Sequence, residues 1–486
     1  MHTLHQIMHL FWPHFIGAAG VLITLATALH VIFHKHNIRA AIGWLGLIWF
    51  LPFFGAVLYF FFGINRIQKL AKSKLATKEF VPLPPYKTEV RSEYIKKLFA
   101  DIDSGLPMLA ELTGRISRQP LVEGNSVQPL LNGDQVFPAM IAAIENAQES
   151  ISLCSYIFDN DPWGNRVRIA LTAAMNRGVE VRALIDAIGL RYSFPSIIRK
   201  LRRDGIKVGR FLGPRSFWPL RYMNLRNHRK IMVVDGRIGF TGGINIRAGS
   251  FLADKPAHPV QDIHFRLQGP IVAELQHTFV EDWTFTTGEK LEGKRWFPEL
   301  DRSGDGIARG ISDGPDEDFD RLRLVILGAL TMARKSIRIA TPYFLPDDEL
   351  VAGLKIAALR GIDVEILLPG VTNLRMIKWA SDAGLEELLE HGCRIYYAAP
   401  PFDHSKLMLV DNSWVLIGSA NWDPRSLTLN FEFNVECYDI KLATEIDLLL
   451  DKKLLGAREL SFGEFESRFI GVRLRNRLLR LFSPYL

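Results

Sequence analysis

The sequence predicts an α/β protein: two similar α/β/α halves with pseudo-two-fold symmetry, preceded by a hairpin of two apolar helices. Three observations predict it. A nineteen-residue string occurs twice, as Asn227–Asn245 and Asp403–Asn421. Helix-then-strand patterns precede each copy. Two long uncharged runs open the chain.

The first string, NHRKIMVVDGRIGFTGGIN, carries His228, Lys230, Asp235, Gly242, Gly243 and Asn245. The second, DHSKLMLVDNSWVLIGSAN, carries His404, Lys406, Asp411, Gly418, Ser419 and Asn421 at the same offsets. Only Gly243 and Ser419 differ in type. Each string reads as two apolar strands joined by a turn, at Asp235-Gly236 and at Asp411-Asn412. A His and a Lys two apart on a strand share a face, roughly 7 Å apart. One can touch a phosphorus while the other holds a phosphate oxygen. The Gly-Gly or Gly-Ser pair lets a ligand approach the backbone, and Asn245 and Asn421 offer amide donors. Asp235 and Asp411, counted with the catalytic motif, sit at the turns, where they accept turn N–H groups.

The halves repeat beyond these strings. Ala139–Phe158 and Arg168–Asp186 read as helix then strand, and so do Val325–Phe344 and Glu349–Pro369. Ser150-Ile151 matches Ser336-Ile337, and Arg177-Gly178-Val179-Glu180-Val181 matches Arg360-Gly361-Ile362-Asp363-Val364. Such alternation argues for helices layered on a buried sheet. The period is far too long for a solenoid. A Gly-, Asp- and Pro-rich stretch from Thr287 to Phe319 places the boundary near Pro298–Arg302.

Phe15–Phe33 and Ile42–Ile64 carry no Asp, Glu, Lys or Arg, and each is long enough to span a bilayer. Ala26-x-Ala28 imitates a signal-peptide cleavage site, but residues 1–14 contain no Lys or Arg and a second apolar run follows. Basic residues are denser after the second run (Arg66, Lys69, Lys72, Lys74, Lys78) than between the runs (Lys35, Arg39), which puts the rest of the chain in the cytoplasm. The expected organisation is a hairpin over 1–66, a basic connector over 67–115, a first half over 116–300 and a second over 301–486.

The formal net charge of +7 points to an anionic partner: nucleic acid, acidic lipid or a phosphate substrate. Ile188–Lys230 holds twelve Lys or Arg against the single Asp204, interleaved with Tyr192, Phe194, Phe211, Phe217, Trp218 and Tyr222. Beside two spans, this reads as a surface for an anionic membrane rather than for single-stranded nucleic acid. Phe465–Phe482 reads as a basic amphipathic helix, either on a membrane or packed on the second half. Cys154, Cys393 and Cys437 are widely spaced and read as buried free thiols. His34-x-His36 has no ligand partners nearby, so no metal and no cofactor are expected.

A phosphodiester reaction needs a nucleophile, a proton donor and positive charge on the non-bridging oxygens. Two histidines, two lysines and two asparagines supply them. Each histidine also needs a partner on its second ring nitrogen. Asp262 and Glu432, each about thirty residues after a motif in an apolar strand, are the candidates.

The paired His-x-Lys-x4-Asp strings resemble the phospholipase D superfamily, and the resemblance supports both orienting acids. It implies that His228 attacks phosphorus, that His404 protonates the leaving alcohol and then deprotonates the acceptor, and that Lys230, Lys406, Asn245 and Asn421 hold phosphate oxygens. Gly63-Ile64-Asn65-Arg66, HFRLQGP, ATPYFLPDDEL and the tail before Ser483-Pro484 are similar to bacterial cardiolipin synthases over essentially the whole chain. That implies joining two phosphatidylglycerols, with release of glycerol, at the inner membrane. Hydrolysis by water, another alcohol acceptor, a membrane-tethered nuclease and a lipid-binding scaffold are the other readings; no nucleic-acid partner is expected.

Overall fold

The computed structural model describes residues 2–35, 38–63, 88–90, 92–99, 105–212, 225–315 and 320–483. Most of the connector, the segment 64–66 and the aromatics Phe217, Trp218 and Tyr222 lie outside the described residues, as does Pro484. The chain divides into two compact units, Met1–Ala76 and Thr77–Leu486.

The first unit is helical. One helix runs from His2 to His34, and its part His14–His34 is long and apolar enough to cross a membrane. The second apolar run is not one helix. It forms Ile38–Phe50 and Pro52–Leu58, followed by a π-helical turn at Tyr59–Gly63. The break falls at Leu51 because Pro52 has no N–H and fixes its own φ, so it starts a helix more readily than it continues one.

The second unit is built on one mixed sheet. The first-half strands are β1 (Leu121–Leu131), β2 (Ser150–Ser155), β3 (Glu180–Asp186), β4 (Lys207–Phe211), β5 (Ile231–Val234), β6 (Ile238–Gly242) and β7 (Ile263–Gln268). The second-half strands are β8 (Gly306–Asp313), β9 (Ser336–Ala340), β10 (Asp363–Pro369), β11 (Arg394–Ala398), β12 (Leu407–Val410), β13 (Trp414–Gly418) and β14 (Asn430–Tyr438). The first seven pair in the order β4-β3-β2-β5-β6-β7-β1. The second seven pair as β11-β10-β9-β12-β13-β14-β8. In each set the outer three are parallel and the rest antiparallel. An antiparallel β1–β8 contact joins the two.

The repeated local sequences have repeated local causes. Gly178 (φ +95°) and Gly361 (φ +83°) close the helices Pro162–Asn176 and Asp348–Leu359 in the left-handed region. The Val234–Arg237 and Val410–Ser413 turns each close with an N–H to C=O bond, and both central residues of each have positive φ, as in type I′ turns.

Two apolar cores flank the sheet, one in each half. The helix Leu106–Ser117, read as connector from sequence, puts Leu106, Leu109 and Ala110 into the second half's core. All three cysteines are free and buried. The helix Ile470–Leu481 packs on the second half partly through arginines: Arg473 bonds Glu386, and the Arg475 guanidinium lies 4.0 Å from the Trp379 ring, while Arg477 stays exposed.

Candidate active site

The two motifs meet through two short parallel bridges. Arg226-Asn227 pairs with Asn430-Phe431, and Phe402-Asp403 pairs with Val260-Gln261. The His228 N–H then donates to Phe431 O (2.9 Å), and the His404 N–H to Gln261 O (2.8 Å). The residue after each accepting carbonyl is an acid, Glu432 or Asp262. Each acid therefore lies under the histidine of the other half.

His228 Nδ1 stands 2.9 and 3.0 Å from the Glu432 carboxylate oxygens, and His404 Nδ1 stands 2.8 Å from Asp262 Oδ2. A carboxylate on Nδ1 makes that nitrogen the donor and turns Nε2 into the lone-pair end. Burial pushes the Glu432 carboxyl up, but His228, Lys230 and Ser419 outweigh it, and Glu432 stays below the usual range. The acids thus serve crosswise. In sequence each follows its own motif by about thirty residues, which does not reveal that exchange.

The residues after the return strands differ for a reason tied to these acids. Ser419 Oγ donates to Glu432 Oε2 (2.6 Å). A Cβ on Gly243 would fall 2.8 Å from Asp262 Cγ, so only glycine leaves that carboxylate room. The close approach expected for a ligand at these positions is instead an approach by the acid.

Both lysines fold back on their own motifs. Lys230 Nζ donates to His228 O and Lys406 Nζ to His404 O, each at 2.6 Å. Burial is the main cause that lowers them, to about 7 for Lys230 and about 8 for Lys406, against the pull of nearby Glu432 and Asp262. His404 falls to about 4, first from burial and then from Lys406, whose Nζ lies 3.0 Å from its Nδ1. Burial also lowers His228. Burial thus lowers all four bases, and an incoming anion would favour their charged forms.

A cavity of about 860 Å³ opens on both histidines. His228, His404, Asn245, Asn421 and Asp262 line it; Lys230, Lys406, Gly243, Ser419 and Glu432 are off its wall. Asn245 accepts from the Ile157 N–H (3.1 Å), which leaves its NH2 end to donate.

Asp235 and Asp411, grouped with the catalytic residues in the sequence reading, do not belong there. Asp235 accepts the N–H groups of Gln148, Glu149 and Ser150, and Asp411 those of Arg334, Lys335 and Ser336. Both sit at the far ends of β5 and β12 from the histidines, and they clamp the starts of β2 and β9 rather than their own turns.

Sequence reasoning missed Tyr156, whose ring is 5.0 Å from that of His228, and Tyr343, 6.2 Å from His404. It also missed the cavity residues Arg226, Arg425, Asp423 and Asn430. Arg226 stands two before His228, the alternation that puts it on the same face; the others carried no local signal. Among the described residues, no His, Cys, Asp and Glu group could hold a metal ion.

A family model described as "Cardiolipin synthase, PLD-like domain" matches residues 140–283 and 326–453, one stretch per motif. The chain belongs to the phospholipase D-type cardiolipin synthase family. These enzymes are phosphatidyltransferases. A second model, "Phospholipase_D-nuclease N-terminal", matches residues 22–63. Cardiolipin synthase 1 of Bacillus cereus is 31% identical over 97% of this chain and 94% of its own length. Cardiolipin synthase of Geobacillus sp. (strain WCH70) is 33% identical over 97% and 94%. Cardiolipin synthase A of Pseudomonas fluorescens is 32% identical over 99% and 100%. Among solved structures, phosphatidylserine synthase of Haemophilus influenzae superposes with a TM-score of 0.62 at 14% identity, covering 78% of this chain and 100% of its own. That likeness concerns the fold.

Proposed function

We propose that this chain transfers a phosphatidyl group from one phosphatidylglycerol to another, forming cardiolipin and releasing glycerol. The observation that carries the proposal is the pair of histidines on one cavity, each held through Nδ1 by a carboxylate from the opposite half.

In the first step His228 Nε2 attacks phosphorus. The bond to the glycerol oxygen breaks, and His404 delivers the proton that glycerol carries away. In the second step a hydroxyl of another phosphatidylglycerol attacks, His404 takes its proton, and the bond to His228 breaks. Lys230, Lys406, Asn245 and Asn421 stabilise the charged oxygens of both transition states. Burial lowers both lysines and His404 in the empty site, and a bound phosphodiester anion favours their charged forms. The recurrent strand order supports a pseudo-two-fold axis between the halves, with each half supplying one side of an in-line displacement.

The first unit acts as a membrane anchor. His14–His34 is one span; Ile38–Leu58, bent at Pro52, is the return span. The basic excess after it supports a cytoplasmic catalytic unit.

The test is purified full-length protein in mixed micelles with labelled phosphatidylglycerol. Cardiolipin and free glycerol are expected, with a chelator tolerated. Phosphatidic acid as the only product would replace transfer by hydrolysis. With an aryl-leaving-group donor, His404→Asn forms the covalent adduct and His228→Asn does not; the opposite pattern would exchange the two roles.

A further inference from the structure

Joining two lipids brings two phosphodiesters into one cavity, and the duplicated motif serves the one that reacts. The second phosphate lies three carbons from the attacking hydroxyl. It must be held within a glycerol's length of the reacting phosphorus, by groups outside the motif.

One wall of the cavity carries such groups. Arg226 and Arg425 both line it, the first from the strand leading into His228 and the second from the helix Pro424–Thr428 of the other half. Both are half-buried. Their charges act on each other: burial, then Arg226, holds Arg425 below the usual guanidinium range, with Asp423 opposing. Two buried carboxyls act on these arginines, Asp423 on Arg425 and Asp186 on Arg226. Burial pushes both Asp423 and Asp186 up to about 6. Asn430, the register partner of Arg226, lines the same wall, is 6% exposed and leaves its Oδ1 without a hydrogen-bond partner among the described residues. The pair is not repeated in the other half, where the lining arginine Arg247 is held by Asp159 (3.4 Å). By the motif offset, the position matching Arg226 is Phe402, which lines the cavity with Pro400, Pro401 and Leu374. A phosphate with a neighbouring hydroxyl would meet two cations and an open acceptor at Arg226, Arg425 and Asn430, and an apolar ring at the matching position Phe402.

We infer that Arg226 and Arg425 form a second anion subsite that holds the phosphodiester of the acceptor lipid. This rests on the phosphatidyl-transfer reading and names the feature that selects an anionic acceptor over a neutral alcohol. The acceptor hydroxyl forms the new P–O bond and its proton goes to His404. The P–N bond to His228 breaks, and its electron pair returns to Nε2. The arginines touch only the spectator phosphate.

The test uses full-length protein in mixed micelles and a phosphatidyl donor labelled in its acyl chain, with an aryl leaving group. Phosphatidylglycerol and glycerol are offered as competing acceptors, and the ratio of labelled cardiolipin to labelled phosphatidylglycerol is read. Arg226→Gln and Arg425→Gln each should lower that ratio about tenfold or more, the range expected for one charge-assisted contact. The loss should appear in KM for the phosphatidylglycerol acceptor. Arg425→Lys should recover part of it and covers the case in which a glutamine variant fails to fold. An unchanged ratio, with both products falling together, overturns the subsite and leaves phosphatidyl transfer standing. A wild-type chain that consumes the aryl donor yet never forms cardiolipin overturns both.

Discussion

Replacing Gly243 by alanine probes one histidine without touching it. The added Cβ would lie 2.8 Å from Asp262 Cγ, closer than real Cβ contacts come, so the carboxylate must move. Asp262 is 2% exposed and has little room to do so. Overpacking of this kind costs about 1–3 kcal/mol of stability. The functional loss is the 2.8 Å contact to His404 Nδ1, and a hydrogen bond to a charged group contributes about 1.5–3 kcal/mol. If that contact matters mainly when His404 carries a proton, turnover of phosphatidylglycerol falls by about 10- to 150-fold. A donor with an aryl leaving group needs little protonation, so adduct formation on His228 should fall far less. Ser419→Ala acts on the other histidine: it removes the 2.6 Å bond to Glu432 and should slow adduct formation itself. Rapid-quench measurement of adduct and product separates the two. Gly243→Ala with turnover within twofold of wild type, or with adduct formation and turnover reduced equally, would refute the crosswise assignment.

Two further outcomes are expected. In the empty site Lys230 titrates at about 7 and Lys406 at about 8. A bound phosphodiester favours their charged forms, so binding takes up protons and KM should rise as pH climbs through 7–8; a pH-independent KM from 6 to 9 would contradict this. Burial raises the thiols of Cys154, Cys393 and Cys437, so they should stay silent to maleimide in the folded protein. A cysteine introduced at Asn65 then reports topology in intact cells, and its labelling from outside would overturn the cytoplasmic placement.

What the sequence made legible is what short-range chemistry writes. The two turns and the helix-then-strand repeat are local patterns, and the structure contains them; each His-Lys pair instead precedes its strand, with the histidine on the cavity and the lysine behind it. Long-range consequences were not legible. The exchange of Asp262 and Glu432 is set by two-residue bridges at Arg226-Asn227 and Phe402-Asp403, too short to leave a periodic trace. Asp235 has the residue type of a catalytic acid, and only its three N–H donors, about 85 residues upstream, show its clamping role. The second apolar run is uncharged from end to end, so hydropathy joins what Pro52 divides. Leu106–Ser117 is too short to declare which core it serves. For the C-terminal helix the composition left membrane contact and packing on the second half open, and the Arg473 and Arg475 contacts to Glu386 and Trp379 pack it on the second half.

The exchange of acids also decides what can be taken apart. A fragment ending after β7 would hold His228 with nothing on Nδ1, and a spare Asp262 aimed at an absent ring. The complementary fragment would have the reverse defect. Each piece is therefore chemically mute alone, and two copies of either could regain a paired ring only by lending an acid to a twin. Co-expressed fragments should recover activity together in proportion to their association. A substitution at either acid silences the histidine encoded in the other fragment, so inheritance of a defect and its site of action fall on opposite halves of the gene.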